Sequence, residues 1–203
     1  MDKVGVINTL RYVVKKGAAI LSAVDDFAGV RMRVFHEFPY LYEGTLEHER
    51  EYLPTDCNAA HAYLFAVYDG QKMIGATTCI PLKDEVEEVR QPFLDAGMDI
   101  DKIFYFGESV LLPEYRGMGL GHRFFDEREA HVRSFGTYRY MAFCAVNREA
   151  NHPLKPDDYR PNDAFWIKRG YSKNPDLVCS MSWLDIGETA KTKKSLTFWM
   201  KAL

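Results

Sequence analysis

Glycines at 117, 119 and 121, with Arg116 directly ahead of them, form the stretch of this sequence best suited to chemistry. Residues 107–121 read G-E-S-V-L-L-P-E-Y-R-G-M-G-L-G, and a helical pattern, H-R-F-F-D-E-R-E-A, occupies 122–130. The first part is strand-like. Ser109, Val110, Leu111 and Leu112 continue the apolar run Ile103, Phe104, Tyr105, Phe106. Pro113 cannot donate to a sheet ladder, so the strand should stop there. A strand, a glycine-rich turn and a helix make a cradle for an anion. Glycine lets the backbone come close to a ligand, and the first N–H groups of a helix have no partner within it. The helix dipole adds attraction for negative charge. Arg116 contributes a further cation at the rim. The chemistry implied is the holding of a phosphate or diphosphate.

Such a cradle needs a frame, and the rest of the chain supplies candidates. Residues 4–14 are extended and could contain a first strand, with 15–17 as a turn. From 20 to 38 the apolar residues Leu21, Val24, Phe27, Val30, Val34 and Phe38 recur every three or four, which predicts an amphipathic helix ended by Pro39. Residues 40–42 form an aromatic loop. Thr45 can cap a second helix containing 47–52, with Pro54 closing it. Residues 62–68 and 72–80 read as a hairpin around Asp69-Gly70. A helix is expected over 84–94, and a strand over 138–146 ended by Asn147. Three prolines make 148–161 stiff and non-helical. Asn162 or Asp163 can cap a short helix at 164–169, with Gly170 in its left-handed terminal position. Residues 177–186 and 196–203 read as a closing pair of strands. There is no internal repeat, low-complexity tract or linker, so a single domain over 1–203 is expected.

Bulk properties narrow the function classes. The chain has 203 residues, 47% of them hydrophobic and 14% aromatic, enough for a substantial core. A net charge of −3 and a pI near 6.1 give no reason to expect nucleic-acid binding. No apolar run approaches the ~18 residues of a membrane span, and the first residues lack a secretory pattern. A cytoplasmic location without membrane attachment is the expectation. The cysteines, Cys57, Cys79, Cys144 and Cys179, are scattered, which suits reduced thiols. The six histidines show no paired ligand spacing, so no metal site is expected.

Two common glycine-loop patterns fit badly. A dinucleotide fingerprint wants G-x-G-x-x-G, and a Walker A loop wants G-x-x-x-x-G-K-[ST]. The pattern present is R-x-x-G-x-G, spelled by Arg116, Gly119 and Gly121 after V-L-L-P-E-Y. It resembles the acyl-CoA pyrophosphate loop of the GNAT superfamily of N-acetyltransferases. V-Y-D-G-Q-K-M-I-G-A, at 67–76, resembles that superfamily's central hairpin. N-D-A-F-W-I-K-R-G-Y, at 162–171, resembles its second signature, a short helix ending in Gly and an aromatic residue. The likeness covers roughly 62–203. It implies an α/β (α+β) GNAT fold, with a mixed, mostly antiparallel central sheet splayed at the acyl-CoA site and flanked by helices. Acetyl-CoA would be the co-substrate. The resemblance places its pantetheine arm on the main chain of Ser109, Val110 and Leu111. Its pyrophosphate would lie on Gly117, Met118, Gly119, Leu120 and Gly121 beside Arg116. Asn147, ending the diverging strand, would reach the arm.

The implied reaction is acetyl transfer to a primary amine of a small molecule or peptide by direct attack. An amine with a pKa of about 10.4 is almost wholly protonated at neutral pH, so a general base matters. The resemblance points to Glu108, which directly precedes the strand expected to hold the acyl arm. The superfamily often has a tyrosine four residues before the helix-ending glycine as general acid, but that position holds Trp166. The acid is then another residue, Tyr159 or Tyr171, or the thiolate leaves unassisted; for Tyr171 a core aromatic is the favoured reading. Cys144 invites a covalent acyl-enzyme reading, but no histidine is near in sequence and its strand is apolar, so a buried structural thiol is favoured. The acceptor would meet the aromatic loop 38–43, the loop 148–160 and the final hairpin. Tyr40, Tyr42, Glu43, Asn151, His152, Asp157, Asp158 and Arg160 are the candidates there. Acidic members suit an amine cation, while Arg148 and Arg160 suit a carboxylate, so an amino acid–like acceptor would satisfy both. Trp166 also leaves open a catalytically silent, acyl-CoA-binding regulatory protein, and a homodimer is left open.

Overall fold

A computed structural model of the chain describes residues 2–7, 9–57 and 59–203, the side chains of residues 52 and 54–57 excepted. Strands β1 (Lys3–Ile7) and β2 (Leu10–Lys16) open the chain as a hairpin. The extended stretch predicted at the N-terminus is therefore two strands; Asn8, between them in sequence, lies outside the described residues. Helix α1 (Val24–Phe35) comes after a short 3-10 stretch, so the predicted helix over 20–38 is shorter at both ends. Helix α2 (Leu46–Cys57) begins where expected. The Thr45 hydroxyl accepts the His48 N–H at 3.3 Å, while the helix runs past Pro54 rather than ending there.

The strands β3 (Tyr63–Asp69), β4 (Lys72–Pro81), β5 (Ile103–Tyr105), β6 (Ser109–Leu111), β7 (Tyr140–Val146), β8 (Ser172–Trp183) and β9 (Thr192–Ala202) complete one sheet. Its order is β1-β2-β3-β4-β5-β7-β9-β8, with β6 also on β4. Every pairing between these strands is antiparallel except β5 with β7. Helices α3 (Glu87–Asp95), α4 (Leu120–Arg133) and α5 (Asp163–Lys168) complete the set. The closing strands are longer than the predicted 177–186 and 196–203. The capping expected of Asn162 or Asp163 is absent, since Asn162 precedes α5 without a side-chain bond to it. Gly170 does take its left-handed conformation, at φ +86°.

Apolar faces make two packed layers. Phe65 and Phe106 pack with Phe124 and Phe125 of α4 in the larger one; Phe93 of α3 packs with Phe198 in the smaller one, their ring centroids 4.7 Å apart. Burial of such side chains contributes about 1.5–3 kcal/mol each relative to exposure.

Segment 103–112 shapes the middle of the sheet. It is not the continuous strand predicted, because it breaks at 106–108. Both halves pair with β4: Tyr105 lies opposite Ile80, and Ser109, Val110 and Leu111 lie opposite Thr77, Ala76 and Gly75. Between them Thr78 faces two residues. It accepts the Gly107 N–H at 3.2 Å and donates its own N–H to the Glu108 carbonyl at 3.0 Å. This is a bulge, which bends a strand and re-aims its side chains. A Cβ on Gly107 would meet the Thr78 hydroxyl at 2.8 Å, closer than side chains tolerate, so glycine is required for the approach. On the other side, β5 pairs with β7 only as far as Tyr105 opposite Ala142, with one more bond from Phe106 N–H to the Ala142 carbonyl. Past the bulge, β6 stays on β4 while β7 runs along β9, and a gap opens between β6 and β7.

Candidate active site

The gap is a cleft of about 1100 Å³. One wall is β6. Its neighbours Glu108 and Leu112 turn main-chain groups toward β4, through the bonds Thr78 N–H to Glu108 O and Leu112 N–H to Ile74 O. Alternation along an antiparallel ladder therefore turns those of Ser109 and Leu111 the other way, toward the cleft. The Val110 side chain is fully buried, so Val110 packs the core while its neighbours face the gap. The opposite wall is Phe143 to Val146, with Trp166 and Trp199 behind Phe143 at centroid distances of 5.0 and 6.4 Å.

The cradle adjoins the cleft, which Arg116 and Gly121 line. Gly117 and Gly119 have φ of +79° and +82°, values that favour glycine. The positive angle is what the chain needs there, since a Cβ at either position would meet nothing within 4 Å. Helix α4 starts directly after Gly119, and no side chain caps it. The amides of 117–122 have no hydrogen-bond partner among the described residues; the first bonded one is Arg123 N–H, to the Gly119 carbonyl. Arg116 is held beside them by Leu111 O at 3.2 Å and by Glu37 of the turn after α1 at 2.9 Å. Uncommitted amides at a helix start, a nearby guanidinium and an unpaired strand edge fit a long ligand with a diphosphate at one end.

Glu108 sits where the cleft meets a second, smaller cavity of about 180 Å³. The bulge fixes its main chain: the Thr78 hydroxyl accepts its N–H at 3.0 Å, and the Thr77 hydroxyl donates to its carbonyl at 2.7 Å. Arg128 reaches the same carbonyl at 3.4 Å. That guanidinium is buried over the rings of Phe106 and Phe125, and burial pushes it down to about 10. The Glu108 carboxylate pairs through Oε1 with Arg31, whose Nε also holds Glu49 at 2.5 Å. Tyr42 donates to the other Glu49 oxygen at 2.8 Å. Glu108 Oε2 is buried and has no hydrogen-bond partner among the described residues. Two carboxylates share the Arg31 guanidinium, a second guanidinium, Arg128, lies at the Glu108 carbonyl, and Oε2 is the Glu108 oxygen left without a donor.

The family model of the GNAT acetyltransferases matches residues 31–154. This chain belongs to the GNAT acetyltransferase family. Solved GNAT-fold structures agree in architecture. A ribosomal-protein-alanine N-acetyltransferase from Brucella melitensis superposes with a TM-score of 0.57 at 13% identity, covering 94% of this chain and 99% of that one. An acetyltransferase from Thermus thermophilus gives 0.53 at 17% identity over 94% and 97%. An N-acetyltransferase from Staphylococcus aureus gives 0.54 at 10% over 94% and 98%. At such identities the likeness establishes the fold. No curated protein matches the chain at the sequence level.

Within this GNAT fold the predicted site residues are distributed unevenly. Glu108, Ser109, Leu111, Arg116, Gly121, Asn147, Tyr159, Tyr40 and Arg160 all border the cleft. Asn147 is tied to β9 at both ends of its amide, donating to Ser195 at 3.0 Å and accepting from Thr197 at 3.1 Å. Tyr159 packs edge-on against Phe38 at 4.7 Å, half-buried, with its hydroxyl raised by burial. Tyr42 belongs to the smaller cavity instead.

Tyr171 takes the core role favoured for it over that of an acid, while His152 and Arg148 take roles other than those expected. Tyr171 is a core residue, 1% exposed, and its hydroxyl donates to Glu129 at 3.3 Å, so it cannot serve the cleft as an acid. His152 does not border the cleft; it lies against Phe38 and accepts the Leu154 N–H at 3.2 Å. Arg148 is a clamp rather than a ligand for a substrate carboxylate. It holds Asp185 through two nitrogens at 2.6 and 3.0 Å, and donates to the carbonyls of Pro39 and Tyr40 at 2.7 and 2.6 Å. Cys144 lines both cavities, half-buried, with its sulfur 3.1 Å from the Tyr105 hydroxyl. The neighbouring Cys179 sulfur and burial push its thiol well up, which suppresses nucleophilicity. The side chain of Cys57 lies outside the described residues.

Arg31, Glu49 and Arg128 are the residues that sequence reasoning missed. A signal for Arg31 existed: Phe27, Arg31 and Phe35 recur every four residues, so a guanidinium sits on the buried face of α1, 5.8 and 5.2 Å from the two rings. A cation on an apolar stripe calls for a buried anion. Among the described residues no group of His, Cys, Asp or Glu could hold a metal ion, and no helix is long and apolar enough to cross a membrane.

Proposed function

We propose that this chain is an acetyl-CoA-dependent N-acetyltransferase acting on a primary amine by direct attack. The observation that carries the reading is the set of uncommitted amides at 117–122, beside a cleft walled by the unpaired edge of β6. Bound there, acetyl-CoA would supply an activated acetyl thioester. The amides of 117–121 and Arg116 hold the diphosphate. The outward main-chain groups of Ser109 and Leu111 fix the pantetheine arm, and Asn147 borders it from the opposite wall. Main-chain N–H groups on the same edge are the donors for the thioester oxygen as charge develops.

Glu108 is the general base. Its free Oε2 takes a proton from the bound ammonium, directly or through water, and the neutral nitrogen then forms the C–N bond as the C–S bond breaks. Arg31, paired with Oε1, holds the carboxylate in place. A thiolate is a competent leaving group, with thiols ionising at about 8.5. Tyr159 is the hydroxyl on the cleft wall assigned to protonate it.

Free-thiol release from acetyl-CoA across a panel of amines, run beside Glu108→Gln, tests the reading. Amine-dependent release that the variant loses is expected. Tight coenzyme binding with no release on any amine would replace the enzyme with a binding protein.

A further inference from the structure

The 180 Å³ cavity opens off the cleft at Glu108, sharing Phe35, Tyr40, Gly107, Glu108 and Cys144 with it. Its volume is below the ~300 Å³ at which pockets for drug-sized ligands begin. The walls are mostly apolar and aromatic, including Phe27, Ile80, Val89, Tyr105, Trp183 and Leu196. Besides the imidazole of His48, the acidic and basic groups on the described lining are three carboxylates, Glu49, Glu85 and Glu108, against one guanidinium, Arg31. Glu49 and Glu85 are 1% and 7% exposed.

Of the donors on the lining, the strongest are already committed, while the Tyr40 and Ser182 hydroxyls and the His48 ring have no side-chain hydrogen bond among the described residues. Arg31 holds Glu49 and Glu108. The Tyr42 hydroxyl donates to Glu49, and the Trp183 indole N–H donates to the Tyr40 carbonyl at 3.1 Å. The Tyr105 hydroxyl is engaged with the Cys144 sulfur. Near the mouth, Arg148 is consumed by Asp185 and the carbonyls of Pro39 and Tyr40. Lys194 is consumed by Glu188 at 3.0 Å and the Trp183 carbonyl at 3.1 Å. A carboxylate in this cavity would lose its water, meet hydroxyl donors rather than an uncommitted guanidinium or ammonium, and face three like charges. An ammonium meets the opposite conditions.

Within the acetyltransferase reading, on which this rests, we infer that the acceptor is a compact primary monoamine with an apolar body about the size of a phenyl ring and no carboxylate. This replaces the amino acid–like acceptor expected from the sequence, whose carboxylate anchors were Arg148, committed as above, and Arg160, which borders the larger cleft and not this cavity. The ammonium seats against Glu108 and the apolar body fills the cavity. A peptide N-terminus is disfavoured, because its backbone would bring polar groups into a lining with few free partners.

The test compares phenethylamine with L-phenylalanine, which differs by one carboxylate, and with alanyl-alanine, using the full chain and thiol release from acetyl-CoA. The expected result is a kcat/KM for phenethylamine at least about 100-fold above both others. Equal or reversed preference overturns the inference. Coenzyme binding is measured separately by calorimetry. Thiol release with phenylalanine or the dipeptide but not phenethylamine removes the inference and leaves the acetyltransferase reading standing. Coenzyme binding without turnover of any of the three also removes it, and absence of coenzyme binding removes both.

Discussion

On one side of Glu108 the site is lined by main chain from a short contiguous stretch, 109–121. On the other it is lined by side chains gathered from α1, α2, β4, β5, β8 and β9. The first side asks little of residue type, except that Gly117 and Gly119 take positive φ and Pro113 ends the strand. The second depends on particular charges: an arginine on the buried face of one helix, a glutamate on another, and a glutamate aimed by a bulge. Main chain can hold a ligand common to a whole family. Side chains from remote segments can be changed singly, and that is where we place the choice of acceptor.

This contrast can be broken by substitutions on either side. The largest effect is expected for Glu108→Gln, which keeps the shape and removes the proton acceptor. The amine-dependent rate should fall by about 10²–10⁴-fold, while coenzyme affinity measured by calorimetry stays within about threefold. A comparable loss of coenzyme affinity would mean that the two sides are not separable. Arg31→Met should act through stability. It leaves Glu49, 1% exposed, and Glu108 without their shared cation, and removing one partner of a buried pair costs about 3–5 kcal/mol. Thermal unfolding should drop by roughly 10 °C; an unchanged midpoint would deny the network its structural weight.

Gly119→Ala is the matching experiment on the main-chain side. An alanine at φ +82° costs roughly 1–2 kcal/mol, so coenzyme affinity should fall about tenfold as the cradle reshapes, with the preference among amines retained. Arg116→Ala should weaken coenzyme binding by only about threefold, and less at high salt, because the guanidinium is half-exposed and screened. Cys144→Ala should leave the rate nearly unchanged. A hundredfold loss there would replace direct attack with a covalent intermediate.

The same contrast explains how much is legible in the sequence. The coenzyme side can be read because its signals are local: a proline, alternating glycines and an amphipathic helix, all in one window. Pro113 does lie two residues beyond the end of β6 at Leu111, and α4 begins at Leu120. The splay between β6 and the strand after α4 is also expected from the resemblance. Its cause, the bulge at Gly107 and Glu108 over Thr78, is not, since it depends on the partner strand's register. The acceptor side stays hidden because its residues are up to 176 positions apart, from Ile20 to Leu196. Arg148 misleads for a related reason. A guanidinium in an irregular loop looks free in sequence, and only the fold brings Asp185 and the carbonyls of 39 and 40 to it. Tyr171 does come directly after a helix-ending glycine, but the turn sends its ring into the core.

Hydrogen exchange of the main-chain amides, with and without acetyl-CoA, tests the central claim most directly. The account predicts that the coenzyme slows exchange at 109, 111 and 117–122, while the amides of α2 and β8 change little. Unaltered exchange at 117–122 under saturating acetyl-CoA, or protection confined to another face of the sheet, would contradict it.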